Sequence, residues 1–548
     1  MRFISIASRM CVFGCIILLS ACGSGSDSNT ADTTSSTSSL IFSATSPTAA
    51  TPATQTFTVT FGAGTLYLVV NHDGTALQTV DYTITGNTAT ITAHPVAPST
   101  IGSGIFSSTI IVTAYSCGNA DCTQMVPGNT SSVVATYTIP AVVQFVAPYV
   151  GTAGSAQSII LRGEGFQTFP VQDVQIGGVS TSFTVVNDTQ INTTYPASLA
   201  AGTYPVDVIA PSSVGPATSQ ANLVLQTAPG YTATTLAYPS ASSTIQRLIY
   251  DAERHTLLVA RTTTSATQEI DSYPYSAGWS AATSTPISGL ADIALSTNGT
   301  QLLALSQTDL QLLDPVSFTA VASVATPALS TSVFYNDLAM TNNNYAIVTS
   351  GYPGNASTPM YLYSVADSTF TQPLGTATSP ISTPSPNNTT TGVSADGSLV
   401  VLPQGYPGNT SASAIFTFSP ATMSYAIPSA TINQNTITPA LDRAATRIIL
   451  NGTNVYDANF TLLGTLPSTT LAVVVSPDAS HAYTFDSAAS QLLSFDLTAT
   501  PAGGAFPQLS ATSLAGDPGA DVKMTISPDG GSLFLAGTTQ IVIQPTPP

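Results

Sequence analysis

The chain has 548 residues, of which nine are basic and twenty-seven acidic, for a net charge of −18, and only 7% of all residues are charged. Lys523 is the single lysine and no cluster of Arg or Lys exists, so binding to nucleic acid through its phosphates is excluded and anionic lipid headgroups are poor partners. An apolar content of 43% is ample for several cores and excludes a disordered chain.

The first elements in chain order concern address. Arg2 and Arg9 precede the apolar run from Cys11 to Leu19, which is too short to span a bilayer and reads as the core of a secretory signal peptide over residues 1–21. Leu19-Ser20-Ala21-Cys22 resembles the bacterial lipobox, and this implies cleavage before Cys22 and lipidation of that cysteine. The membrane partner would then be reached through lipid on Cys22, with no spanning helix, and an outer-membrane location is expected. Cleavage removes two basic residues and leaves seven against twenty-seven acidic ones, a net charge of −20. Residues 22–39, rich in Gly, Ser and Thr, have almost nothing to bury and read as a flexible tether.

From residue 40 to 139 short segments alternate apolar and polar residues: 56–61, 65–70, 81–84, 89–93, 108–115 and 132–139, separated by turns such as Asn71-His72-Asp73-Gly74. A period of two over six short runs predicts an Ig-like β-sandwich. Cys117 and Cys122 are expected to form a disulfide across the loop between its last two strands, the export compartment permitting it. The alternative, a metal site, lacks nearby His or further Cys ligands, so no metal and no cofactor is expected.

Over residues 140–227 the residues Val146-Ala147-Pro148, Gly151, Ile159 to Phe166 (Ile-Ile-Leu-Arg-Gly-Glu-Gly-Phe), Val174 to Val179, Asn187 to Ile191, Pro196 and Gly202 to Val208 resemble the IPT/TIG family of Ig-like domains. The resemblance implies a second sandwich serving as a spacer or interaction module.

From residue 228 onward a repeat appears. Asp251-Ala252-Glu253-Arg254, Ser296-Thr297-Asn298-Gly299, Thr341-Asn342-Asn343-Asn344, Ser394-Ala395-Asp396-Gly397, Asp442-Arg443-Ala444-Ala445, Ser476-Pro477-Asp478-Ala479 and Ser527-Pro528-Asp529-Gly530 each lie between two apolar strands, at intervals of 45, 45, 53, 48, 34 and 51 residues. Seven such units predict a seven-bladed β-propeller over 228–548, and the repeat resembles the YVTN or WD-like kind. The last unit ends too early for a fourth strand, so residues 232–238 are expected to supply it and close the ring. The fold class is therefore all-β, two Ig-like β-sandwiches followed by a seven-bladed propeller.

Chemistry is sparse. The four histidines, His72, His94, His255 and His481, read as surface or turn residues, the last two at equivalent positions after their turns. No Walker loop, HExxH helix or calcium loop is present. Channel chemistry in a propeller enzyme would require acidic or histidine side chains at the starts of the first strands. Those positions carry Ser243, Thr244, Ala291, Ala472 and Ala520, with Asp292 and Asp521 as exceptions. One constellation stands out: Gly351-Tyr352-Pro353-Gly354-Asn355 and Gly405-Tyr406-Pro407-Gly408-Asn409 are identical pentapeptides, expected in the loops between second and third strands of blades 3 and 4. Tyr352, Asn355, Tyr406 and Asn409 on rigid turns could stack on and hydrogen-bond a glycan or protein, and Asp309, Asp486 and Asp517 are expected on the same face. The plainer reading is a duplicated turn whose tyrosines pack on their own loops. The expected function is that of a non-enzymatic, membrane-anchored binding or adhesion lipoprotein of the cell envelope; the alternatives are a propeller enzyme of lactonase, lyase or hydrolase type and a scaffold subunit of an envelope complex.

Overall fold

The computed structural model describes residues 33–547, apart from 63–64, 118–124, 211–217, 220, 352–356, 372–381, 385–389, 404–412, 421–422, 427–430, 433–437 and 468–471. The signal peptide and Cys22 lie outside the described residues, as do Cys122, the side chain of Cys117 and both tyrosine pentapeptides beyond Gly351. Among the described residues the only helix is the four-residue Pro98–Ile101, and all other regular structure is β. The chain falls into two compact units, the second comprising Val143–Gly163, Asp173–Asp207 and Ser219–Pro548.

In the first unit two four-stranded sheets face each other. Alternation drives this: in Gln55–Phe61 every second residue is buried, Phe57, Val59 and Phe61 being at most 4% exposed, so one face of each strand leaves water while the other keeps its hydroxyls. Their partners in the core include Ile91, Ile110, Val112, Val133 and Tyr137. The sandwich begins earlier than the sequence suggests. Thr33–Ser35, expected to be tether, pairs antiparallel with Phe61–Val59, and Thr33 Oγ1 donates to the Asn129 carbonyl at 2.9 Å. A hydroxyl-rich edge strand needs backbone partners more than apolar side chains, and Thr tolerates that setting well. The last two strands, Gly104–Cys117 and Met125–Ile139, are paired as far as Cys117 opposite Met125, so the chain between them closes that hairpin.

The second sandwich has two five-stranded sheets. It is followed by seven sheets built on a common antiparallel four-strand plan, at 242–286, 290–325, 334–371, 392–426, 440–465, 473–513 and 523–545. The last of these contains only three strands of its own and takes its fourth from Thr234–Leu236, which pairs with Ile543–Ile541. The first strand of each sheet lies against the first strand of the next, and that of the seventh against that of the first. This is a closed seven-bladed β-propeller. Burial follows position in the blade: Leu302–Ser306, a second strand, is buried throughout, whereas Ala320–Ala325, an outer strand, is almost wholly exposed. Strands covered on both faces by neighbouring blades read as continuous apolar runs, which is why the repeat's signal lies beside its turns and in no alternation.

The turns themselves explain the repeat. In blade 6, Ser476 Oγ donates to Asp478 Oδ1 at 2.6 Å and accepts from the His481 amide at 2.9 Å. Ser394 does the same with Asp396 and Leu399, and Ser527 with Asp529 and Ser532. The fourth turn residue lies in the left-handed region in Gly299, Asn344, Gly397, Ala445, Ala479 and Gly530, a conformation that Gly and Asn adopt most readily. A hydroxyl, a carboxylate two residues on and a left-handed residue next are thus one hydrogen-bonded device repeated around the ring.

Candidate functional site: the central channel

Each of the first three inner strands carries a β-bulge, between Ile245 and Arg247, between Leu290 and Asp292, and between Tyr335 and Asp337. Bulges re-aim side chains, and here they bring three charges together. Arg247 Nε donates to Asp292 Oδ1 at 2.9 Å, and Nη2 donates to Asp292, to Asp337 and to the Leu338 carbonyl. Both carboxylates also tie neighbouring blades. Asp292 accepts from the Leu338 amide at 2.7 Å, and Asp337 from the Thr391 amide at 2.8 Å. The side chains of Asp292 and Asp337 are 2% and 8% exposed. Burial, with Asp337 beside it, pushes the Asp292 carboxyl up to about 8 against the opposing pull of Arg247, because one guanidinium serves two desolvated carboxylates.

Asp521, the other exception noted in the sequence, accepts from the Ile245 amide at 2.7 Å and pairs with Lys523 at 3.2 Å. Asp292 and Asp521 thus act as ties between blades. Sequence reasoning missed Arg247 and Asp337. The available signal was an arginine inside the apolar run Ile245-Gln246-Arg247-Leu248-Ile249 in a chain with so few charges, since such a charge must be paired where it is buried.

From the level of Arg247 a cavity of about 430 Å³ runs along the channel towards the hairpin turns, and Pro148, Tyr149 and Val150 of the second sandwich line it there. The sandwich is held on those turns by polar contacts. Tyr149 Oη donates to Glu253 Oε2 at 2.9 Å, Gln226 Nε2 to the Glu253 carbonyl at 2.9 Å, and Arg162 Nε to Asn342 Oδ1 at 3.0 Å. Gly299, at φ +66, lies so close to the Tyr149 ring that a Cβ there would sit 1.7 Å from Oη. Arg443, in the fifth turn, also lines the cavity. Its Nη2 donates to the Pro528 carbonyl at 3.3 Å, while its Nη1 is buried with no hydrogen-bond partner among the described residues. Burial lowers its pKa, Tyr195 and Asp396 opposing.

The other predicted residues are dispersed. His255 lies in its turn, as expected, but is half-buried there: its Nδ1 lies 3.0 Å from Tyr250 Oη and 3.2 Å from Tyr231 Oη, and burial lowers its pKa. It belongs to the seam between blades 7 and 1, where Tyr231, Tyr275, Trp279 and Phe534 pack edge to face. His481 is not its equivalent, since His255 sits at φ +48 and His481 opens the following strand. His72 ends a strand instead of lying in a turn, and His94 pairs with Asp81 across one. Asp309 accepts hydrogen bonds from Ser306, Ser323 and Gln311, and Asp486 and Asp517 each cap a following amide. The tyrosine pentapeptides lie between Gly351 and Tyr361 of blade 3 and between Pro403 and Ser413 of blade 4, the connections expected, but Tyr352, Asn355, Tyr406 and Asn409 are outside the described residues. Among the described residues no three His, Cys, Asp or Glu side chains converge as metal ligands.

Comparison with known proteins adds one assignment. Residues 141–224 match the IPT/TIG domain. The TIG domain is thus the second sandwich, whose Tyr149, Arg162 and Gln226 bind the propeller's turns. No curated protein matches the chain. Solved structures with partial likeness include hydrazine synthase of Kuenenia stuttgartiensis (10% identity, 57% of this chain and 99% of that one, TM-score 0.42). An auxiliary nutrient binding protein from Bacteroides ovatus shows 13% identity over 74% of this chain and 98% of that one, at TM-score 0.35. The Cps50 (Swd1) β-propeller domain of Myceliophteria thermophila shows 11% identity over 57% and 99%, at TM-score 0.40. Likeness at this level carries no argument about function.

Proposed function

We propose that the protein is a cell-envelope binding lipoprotein, held at the outer membrane by lipid on Cys22, in which two Ig-like domains carry a propeller that recognises a glycan or protein ligand. The coarse part, a binding or scaffold role, rests on the TIG domain and the propeller themselves. The observation that carries the finer part is the occupied turn face. The TIG domain engages the hairpin turns of blades 1 and 3, so the connections at the opposite ends of the second strands, which include both Gly-Tyr-Pro-Gly-Asn segments, are left for a partner. Tyrosines on short Pro-Gly turns would give that face large contact area at small entropic cost.

The test is a glycan-array and envelope-extract binding screen with the full chain beside a Tyr352→Ala/Tyr406→Ala double variant. Binding that the double variant loses supports recognition at this rim; binding that it retains refutes the rim and leaves the scaffold role. Anchoring is tested separately: Cys22→Ser should move the protein from the membrane to the soluble fraction, and unchanged fractionation refutes lipidation there.

A further inference from the structure

The channel cavity departs from the rest of the molecule in charge. The chain has three acidic residues for each basic one, yet among the described residues no Asp or Glu lines the cavity, whereas Arg247, Arg443 and Lys523 all do. Two of these cations are neutralised, Arg247 by Asp292 and Asp337 and Lys523 by Asp521. Arg443 has no carboxylate within ion-pair distance among the described residues, is 6% exposed, and keeps a buried Nη1 without a partner. A buried guanidinium with one long carbonyl bond and an unused donor forfeits more hydration than it regains, a cost that proteins meet with an anion or relieve by substitution.

The remaining lining narrows the anion. Ile249, Leu295, Val393, Leu441 and Met524 are partly exposed side chains that face this space, beside the polar Gln246, Thr297 and Lys523, so the cavity offers an unpaired guanidinium next to a wall that is more hydrocarbon than polar. Its volume of about 430 Å³ lies in the usual range for small-molecule sites. A doubly charged molecule would bury its second charge with no second free cation among the described residues to meet it, whereas a compact body with a single carboxylate can place its charge on Arg443 and its apolar part on the hydrocarbon side of the wall. Guanidinium and carboxylate also match in a planar, two-bond geometry.

We infer that the central channel, between the Arg247 cluster and the TIG segment Pro148–Val150, binds a small organic monocarboxylate with an apolar body, its carboxylate on Arg443. The site is independent of the tyrosine loops and of whatever they recognise.

The experiment is calorimetric titration of the full chain with benzoate and hexanoate, each beside its neutral amide, and with inorganic phosphate. The carboxylates should bind at least about tenfold more tightly than their amides, a charge-assisted pair being the difference. Arg443→Met should abolish that preference and Arg443→Lys should retain part of it. Ala395→Phe, at an exposed alanine lining the cavity, keeps the arginine and fills the space, so it should weaken acid and amide alike and guards against a misfolded Arg443 variant. Equal binding of acid and amide overturns the inference, as does carboxylate binding that neither Arg443→Met nor Ala395→Phe alters, or no carboxylate binding at all. Phosphate binding as tight as that of benzoate shows a counter-ion only and overturns it equally.

Discussion

Two buried arginines, one in blade 1 and one in blade 5, show how differently the same side chain can be used. Arg261, wholly buried, has a partner for every N–H: Asp271 at 2.6 Å for Nε, the Ser240 carbonyl and Ser242 Oγ at 3.0 Å for Nη1, and Ser240 Oγ and Glu269 for Nη2. The Tyr238 ring lies 4.9 Å from its guanidinium carbon. Tyr238 and Ser240 follow the closing strand Thr234–Leu236, so Arg261 bolts the ring's seam. Among the described residues Arg443 has one carbonyl partner and an idle nitrogen beside a cavity. The lesson is that burial of a charge says little until its donors are counted: a saturated arginine holds structure, and an unsaturated one is open to a ligand.

Replacement separates the two most sharply at the seam. Arg261→Met leaves Asp271 and Glu269 buried without their cation and is expected to cost about 4 kcal/mol, read as a lowered urea midpoint. Arg247→Met should cost about 3 kcal/mol by the same mechanism, the smaller figure reflecting the 20% exposure of its side chain. Here pH sharpens the comparison. Because the Asp292 carboxyl is held up at about 8, the fold binds its proton more tightly than the unfolded chain does. Its contribution is full below the unfolded value of about 4 and falls as pH rises to the folded one. Removing Arg247 should enlarge this slope, so the variant's deficit in thermal melts is expected to be greater at pH 9 than at pH 5.

A smaller effect tests the turns. Ser527→Ala removes the bond to the Ser532 amide and should cost about 1 kcal/mol, measured by chemical denaturation. Arg443→Met is expected to lie within about 1 kcal/mol of the parent, since the lost Pro528 contact is offset by relief of an unpartnered donor; a loss as large as that of Arg261→Met would erase the distinction between the two.

The sequence exposed the parts of this structure in which a local device dictates residue type. Ser-Pro-Asp-Gly is legible because its hydroxyl, carboxylate and left-handed glycine each have a hydrogen-bonding or conformational task within five residues. The first strand of the first sandwich was not, because Thr33–Ser35 is fixed by a partner some 25 residues on and shows no apolar pattern. The channel was hidden for a similar reason. Arg247, Asp292 and Asp337 stand about 45 residues apart in sequence and meet only once three blades are aligned and bulged, and Arg443 passes for an ordinary turn residue until the cavity beside it is seen. The tyrosine loops were legible as repeats and as connections, but no local rule says whether such a tyrosine faces a partner or its own loop.

The closing strand has a temporal meaning as well as a geometric one. Thr234–Leu236 waits for Ile541–Ile543, which lie about 300 residues later in the sequence. A polypeptide emerging N-terminus first can complete its sandwiches early, yet it must hold six blades with an open edge until the strand Ile541–Pro545 arrives. Loss of the strand Ile541–Pro545, by a stop codon or a clipping protease, would leave an unpaired edge on either side of the gap, so that one strand decides when the ring becomes whole.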